Sequence, residues 1–317
     1  MKKYYPCIDL FKFIFSLLVI CVHVNPFLDV NSTLNFIISG LLASFAVPFY
    51  FLVSGYLSGD GSFRHIVKKP LFLCLLNMCL YLFISHFWEL SFLHVLQSII
   101  LTGGYYHLWY LVVLIYCMIF YTVLLKKIPS QYCIAFCFIT YLSGCLFRTY
   151  FEIDNLVFLF IFRFLSIGLP FFYYGVWIRK KHKEKKFSSL GRYNLFFFLL
   201  WIIEVLILME KGNSVGYTLL FSSFPVIAII FSYTIYLSDK IKINFAPTLG
   251  KMSMIIYCIH PAILWFLRAV CQKFNFEKLN SFVEFIFVTI ISIFVSQIYC
   301  VANKKFEIIK CKGKSFK

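Results

Sequence analysis

Charge is scarce in this sequence. Asp, Glu, Lys and Arg make up 14% of its 317 residues, against about a quarter in a typical soluble domain. No polar stretch is long enough to fold as a separate soluble domain, which leaves a single domain over 1–317. Acidic residues are scarcer still, 13 against 30 basic ones, for a net charge of +17. That excess invites a nucleic-acid partner, which the placement of the charges excludes. Paired cysteines are also missing. The twelve Cys are scattered, and Cys74, Cys79, Cys117, Cys133, Cys137 and Cys258 lie inside apolar runs. No CxxC pair and no His/Cys ligand spacing occurs, so neither a metal site nor a disulfide framework is expected, and these cysteines read as small hydrophobes. The MKK start before an apolar run imitates a secretory leader. Lys12 and His23 interrupt that run and no A-x-A site follows, so cleavage is not expected. No internal repeat is visible.

What the sequence has in abundance is apolar surface. It is 62% hydrophobic and 21% aromatic, with 41 Phe and a mean hydropathy of +0.86. The expected fold is therefore an all-α polytopic membrane protein. Ten stretches match the roughly 20 residues a helix needs to cross a bilayer: 8–28, 36–57, 69–88, 107–125, 131–147, 156–178, 193–209, 217–237, 249–269 and 281–302. The segment 89–106 is too short and too punctuated for another span, and reads as an outer interfacial helix ending at Gly103-Gly104.

The basic residues alternate with these spans. Lys2 and Lys3, Arg64, Lys68 and Lys69, Lys126 and Lys127, the cluster from Arg179 to Arg192, Lys240, Lys242 and Lys251, and the lysines after the tenth span all fall on one side. The opposite connections hold only Arg148, Lys211, Arg268, Lys273 and Lys278. By the positive-inside bias both termini are expected in the cytoplasm. The charge excess is mostly a topology signal, with anionic lipid or an anionic cytoplasmic ligand as further partners.

Against this background the ionisable residues inside spans stand out, because burying them in hydrocarbon is costly and usually functional. The first span carries Asp9, Lys12 and His23. Lys12 and His23 are separated by about three helical turns, on one side and roughly 16 Å apart along the axis. A neutral imidazole takes a proton from a hydroxyl, so His23 is the candidate general base. The bland reading is that Lys12 snorkels and His23 sits at the outer interface. Ser54, in a run without the G-x-S-x-G context, reads as a packing or hydrogen-bonding residue. Arg64, Lys68 and Lys69 read either as inside-positive anchors or as a phosphate clamp. His107 and Trp109 open the fourth span, as an aromatic belt or at the border of a polar substrate. Arg163 lies well inside the sixth span, with Glu204 as a candidate partner. Ser253, Tyr257 and His260, at offsets of four and three, share one face of the ninth span.

Several of these stretches occur in an order that resembles the bacterial acyltransferase 3 family of integral-membrane acyltransferases. They are Lys12, ten residues and His23, preceded by Asp9; PFYFLVSGY from Pro48 to Tyr56; HLWYL at the fourth span; Arg163 to Gly175; and SMIIYCIH from Ser253 to His260. Lys12 stands where the commoner family form has Arg, keeping the charge without the planar fork. Some members carry a soluble esterase-like domain after the membrane unit, and this chain would be a membrane-only member.

The resemblance implies transfer of an acyl group, usually acetyl, from cytoplasmic acyl-CoA to a hydroxyl of a surface glycan or its lipid-linked precursor, in the bacterial inner membrane. No permanently bound cofactor is expected; acetyl-CoA is the donor. His23 would be the base, with Lys12 and Arg163 holding the donor or the oxyanion. Asp9, Arg64, Lys68, Lys69, His107, Trp109, Ser253, Tyr257 and His260 would complete the donor and acceptor sites. Two other readings remain: a transporter or flippase for a polar solute or lipid-linked sugar, and a receptor or scaffold whose buried charges are structural pairs.

Overall fold

The computed structural model describes residues 4–58, 63–85, 91–150, 155–183, 193–210, 220–275 and 279–314. Among them there are helices and no strands. Hydrogen-bonding every backbone group within its own segment is what an apolar chain in lipid requires.

The helices in chain order are α1 (Pro6–Val24), α2 (Ser32–Ser58), α3 (Phe63–Ile84), α4 (Phe92–Thr102), α5 (Trp109–Lys127), α6 (Ser130–Tyr150), α7 (Leu156–His182), α8 (Asn194–Glu210), α9 (Ser223–Lys240), α10 (Ala246–Lys273) and α11 (Ser281–Lys314). Eight of them are long and apolar enough to cross a membrane: α1, α2, α3, α5, α6, α7, α10 and α11. The chain is thus an all-helical, multi-pass membrane protein. The spans expected at 193–209 and 217–237 correspond to α8 and α9. Residues 217–219 lie outside the described residues. Among the described residues the apolar part of α8, Asn194–Ile207, is short, and α9 closes on Ser238, Asp239 and Lys240, so neither shows a full-length apolar stretch there. α4 matches the expected short helix. Ser91 caps its start, and Gly103, at φ 78, closes its end in the left-handed conformation that costs a glycine little.

Two long helices are irregular. α2 is π-helical over Phe36–Leu42 and 3₁₀ over Ala43–Phe45. Pro48 lacks an N–H, so the Ser44 carbonyl has no donor four residues on, and the helix tightens there. α7 is π-helical over Arg163–Gly168, so its intramembrane arginine opens a rare helical segment of the kind often found at functional sites.

The chain forms two compact units. One comprises 1–46 and 234–317, the other 47–233. The first is built on α1, α10 and α11, whose Ile20, Val24, Met252, Ile256, Leu264 and Val288 form a buried cluster flanked by Phe13, Leu17 and Ile263. Small residues let these helices approach. A Cβ on Gly250 of α10 would fall on the carboxylate of Asp9 in α1. At the other end of α1, Asp29 accepts from the Ser281 N–H at the start of α11 (2.8 Å), and the Ser281 hydroxyl donates to the Pro26 carbonyl. Arg268 of α10 and Glu284 of α11 pair through two bonds of 2.7 and 2.8 Å.

The second unit is an aromatic-rich packing of α3 to α8 with the later part of α2 and the earlier part of α9. Phe49, Phe51, Tyr56, Tyr81, Tyr141, Phe171, Phe172 and Phe231 are fully buried in it. Edge-to-face pairs such as Phe49–Phe231 and Tyr56–Phe231, at 5.9 and 5.3 Å between ring centres, fix their packing.

Candidate active site

In the first unit α1 and α10 bring two histidines together. The rings of His23 and His260 stack with their centres 5.3 Å apart and their planes 23° from parallel. His260 is fully buried and His23 half-buried. His23 sits in the last turn of α1, which Asn25 closes in the left-handed conformation. His260 directly precedes Pro261, inside α10. Proline supplies no N–H to the Tyr257 carbonyl, which loosens that turn. The His260 Nδ1 lies 2.9 Å from the Ile256 carbonyl. A carbonyl only accepts, so Nδ1 carries the hydrogen and Nε2 of the neutral ring keeps the lone pair.

The remaining residues expected on this helix pair lie nearby. The Tyr257 ring centre is 6.4 Å from that of His260. Ser253 is buried and donates its hydroxyl to the Gly250 carbonyl. Toward the start of α1, Lys12 pairs with Asp9 at 2.8 Å. Asp9 also accepts from the Tyr4 hydroxyl at 2.9 Å. Burial, followed by the hydrogen bond and the negative charge of Asp9, pushes the Tyr4 phenol above its ordinary range, so Tyr4 is the donor.

The second unit joins two other expected residues. The Arg163 guanidinium lies 4.6 Å over the ring of Trp109, a cation–π contact. The close fit of α7 on α5 is set by Gly168, where a Cβ would lie 2.9 Å from the Cys117 sulfur. Glu204, weighed from sequence as a partner of Arg163, instead accepts from the Phe221 and Ser222 N–H groups at 2.8 and 2.9 Å and from the Ser222 hydroxyl. It thereby caps the start of α9. His107 is buried among aromatics, edge-on to Tyr81 at 4.5 Å and to Tyr105 at 5.7 Å. Lys68 and Lys69 are exposed on α3. Arg64 is in the first turn of α3, its side chain outside the described residues. Among the described residues no three His, Cys, Asp or Glu come together as a metal site.

Sequence reasoning passed over Arg179 and His182, which it counted among the basic loop residues. Arg179 donates to the Tyr56 carbonyl at 2.7 Å, and the Tyr56 hydroxyl lies 2.7 Å from His182 Nδ1. The available signal was glycine spacing: Gly55 precedes Tyr56, and Gly175 stands one turn before Arg179.

A family model described as an acyltransferase domain (Acyl_transf_3) matches residues 5–301. Two curated proteins from Enterococcus faecalis, each named amino-acid racemase, are also similar. One is 23% identical over 96% of this chain and 47% of its own length. The other is 29% identical over 47% of this chain and 22% of its own length. The chain therefore spans less than half of the curated relatives it matches. No solved structure matches it.

Proposed function

The chain belongs to this acyltransferase family, and from that membership we propose that it moves an acyl group, most simply acetyl, from cytoplasmic acyl-CoA to a hydroxyl of a surface glycan or its lipid-linked precursor. The observation that carries the reading is the stacked pair of His23 and His260 inside a membrane unit. An imidazole held there, with its neighbour's tautomer set by Ile256, suits proton transfer rather than helix packing.

In the proposed reaction His23 takes the proton of the acceptor hydroxyl. The oxygen attacks the thioester carbonyl carbon, the carbon–sulfur bond breaks, and the proton passes from His23 to the departing CoA thiolate. His260 holds the His23 ring in place. Lys12, oriented by Asp9, and Arg163, oriented by Trp109, are assigned to the negative charges of the donor and the oxyanion, where positioned cations contribute strongly. Arg64, Lys68 and Lys69 are assigned to the donor's phosphates. Ser253, Tyr257 and His107 remain candidates for acceptor and donor contacts. The proposal includes ten spans, with α8 and α9 as the two shorter ones, both termini in the cytoplasm, and a bacterial inner-membrane location. The name of the enterococcal relatives belongs to proteins of which the chain covers less than half, and racemisation is not part of the proposed reaction.

The test is the acyl content of surface glycans, measured by mass spectrometry in cells with the wild-type gene, without it, and with His23→Ala at normal protein abundance. Ester groups present only with the wild type are expected. Glycans acylated equally in all three strains overturn the proposal.

A further inference from the structure

We infer that the ends of α2 and α7 in the second unit build an oxyanion site around Arg179, flanked by Lys180, that takes a phosphate group of the acyl donor. The class of ligand rests on the acyl-CoA reading above, while the site rests on its own geometry.

The two helices meet backbone to backbone through a reciprocal pair of glycines. A Cβ on Gly55 would fall on the Phe172 carbonyl oxygen, and one on Gly175 on the Leu52 carbonyl oxygen. Any larger residue at either place forces the helices apart. This crossing sets Arg179, one turn past Gly175, level with Tyr56. Its Nη1 donates 2.7 Å to the Tyr56 carbonyl, and the guanidinium carbon lies 6.0 Å from the centre of the Tyr56 ring. His182, nearly a turn further on, stacks on the same ring at 6.2 Å and meets its hydroxyl. Tyr56 itself is fully buried. The platform is rigid at the backbone and held by side chains on both sides.

Tyr56 is among the last carbonyls of α2, which otherwise lack helical partners, so one role of Arg179 is to cap them. That role uses one N–H of the five a guanidinium carries. The Arg179 Nε–H is buried and has no acceptor among the described residues. No carboxylate among the described residues pairs with the guanidinium, which is half-buried, and Lys180, next in sequence on α7, is exposed. A fixed guanidinium edge with spare donors and a second cation is the arrangement that holds a phosphate through two parallel hydrogen bonds. An acyl-CoA carries phosphates on its adenosine, at the end remote from the thioester. Gripping one of them here, beside those assigned to Arg64, Lys68 and Lys69, holds the donor without involving the reacting atoms.

The test uses the full chain in nanodiscs of zwitterionic lipid. Adenosine 3′,5′-bisphosphate serves as a probe that needs no transfer reaction, and its dissociation constant is measured for wild type, Arg179→Lys, Arg179→Gln and Lys180→Gln. The expected loss is about tenfold or more for Arg179→Gln, the scale of one charge-assisted hydrogen bond, and about twofold for the exposed Lys180→Gln. Arg179→Lys, which keeps a cation able to cap Tyr56, is expected between them and guards against misfolding. In transfer assays, Arg179→Gln should raise KM for acetyl-CoA and leave KM for acetyl-pantetheine, which has no phosphates, unchanged. Wild-type protein that fails to bind the bisphosphate overturns the site. So does an equal KM rise with both donors. Bisphosphate binding that depends on Arg179, in a protein with no transferase activity, would keep the site and sink the acyl-transfer reading; transfer without such binding does the reverse.

Discussion

If His23 and His260 act as one unit, their mutations will not add. A positioned general base is worth about 10²–10⁴ in rate, or about 3–5 kcal/mol of barrier, so His23→Ala should lower kcat by that factor. His260 is fully buried, with one edge fixed to Ile256 and one face on His23. Removing its ring frees His23 to turn away from the acceptor, and a misplacement of that kind costs about 10²-fold. Once His23 is gone, His260 has no base left to position. The double mutant should therefore match His23→Ala, giving an interaction energy of about 2–3 kcal/mol, at the upper end for residues in contact. His260→Phe keeps the stack and loses the Nδ1–H donor, so it should fall between wild type and His260→Ala. The assay is release of free CoA from acetyl-CoA by purified protein with a glycan acceptor. Elution volume and thermal midpoint serve as folding controls. Losses that multiply in the double mutant, or His260→Ala at the wild-type rate with normal folding, refute the unit.

Other perturbations test the fold around the site. Gly175→Ala drives a methyl group into the Leu52 carbonyl and should lower stability by about 1–3 kcal/mol, read as a lower thermal midpoint in detergent; an unchanged midpoint would mean the helices part freely. Arg268→Ala leaves the Glu284 side chain, only 8% exposed, without its cation. The expected loss is about 2–3 kcal/mol, moderated by the half-exposed arginine, with Glu284→Gln milder in the same assay. Asp29→Ala removes the acceptor of the Ser281 N–H at the start of α11 and should cost about 1 kcal/mol, as lost helix caps do, seen as faster hydrogen exchange in the first turn of α11. Lys12→Arg retains a cation for Asp9 and should keep most activity, whereas Lys12→Ala should not.

The helical class, the position of most helices and the short helix at 92–102 were legible because run length and apolar content report directly on burial in lipid. The count of spans was less so, since α8 and α9 are helices whose apolar stretches run short. Local residue sets could also be read: Ser253, Tyr257 and His260 share α10, and Asp9, Lys12 and His23 share α1, although the pairing of Asp9 with Lys12 was not anticipated. Contacts between helices were not, because no spacing within one helix encodes which neighbour it meets. The stack of His23 on His260 depends on Gly250 admitting Asp9 and on the cluster of Ile20, Ile256 and Leu264. Arg163 over Trp109 depends on the fit of Gly168 against α5. Glu204 misled because charge complementarity pointed to Arg163, while its oxygens went to backbone donors at the start of α9. Arg179 was hidden by its neighbours, since a lysine-rich loop already had an explanation in membrane topology.

The account rests on transfer of an acyl group, and the most direct measurement follows the label. Purified protein in nanodiscs is given [1-¹⁴C]acetyl-CoA with a lipid-linked or free glycan acceptor. The prediction is label in a base-labile ester on the glycan, with one CoA released per ester formed and both slowed by about a hundredfold or more with His23→Ala. Label that remains entirely in acetyl-CoA with active, folded wild-type protein, while the same protein in sealed vesicles moves solute or lipid-linked sugar across the bilayer, would contradict the account and establish a transporter.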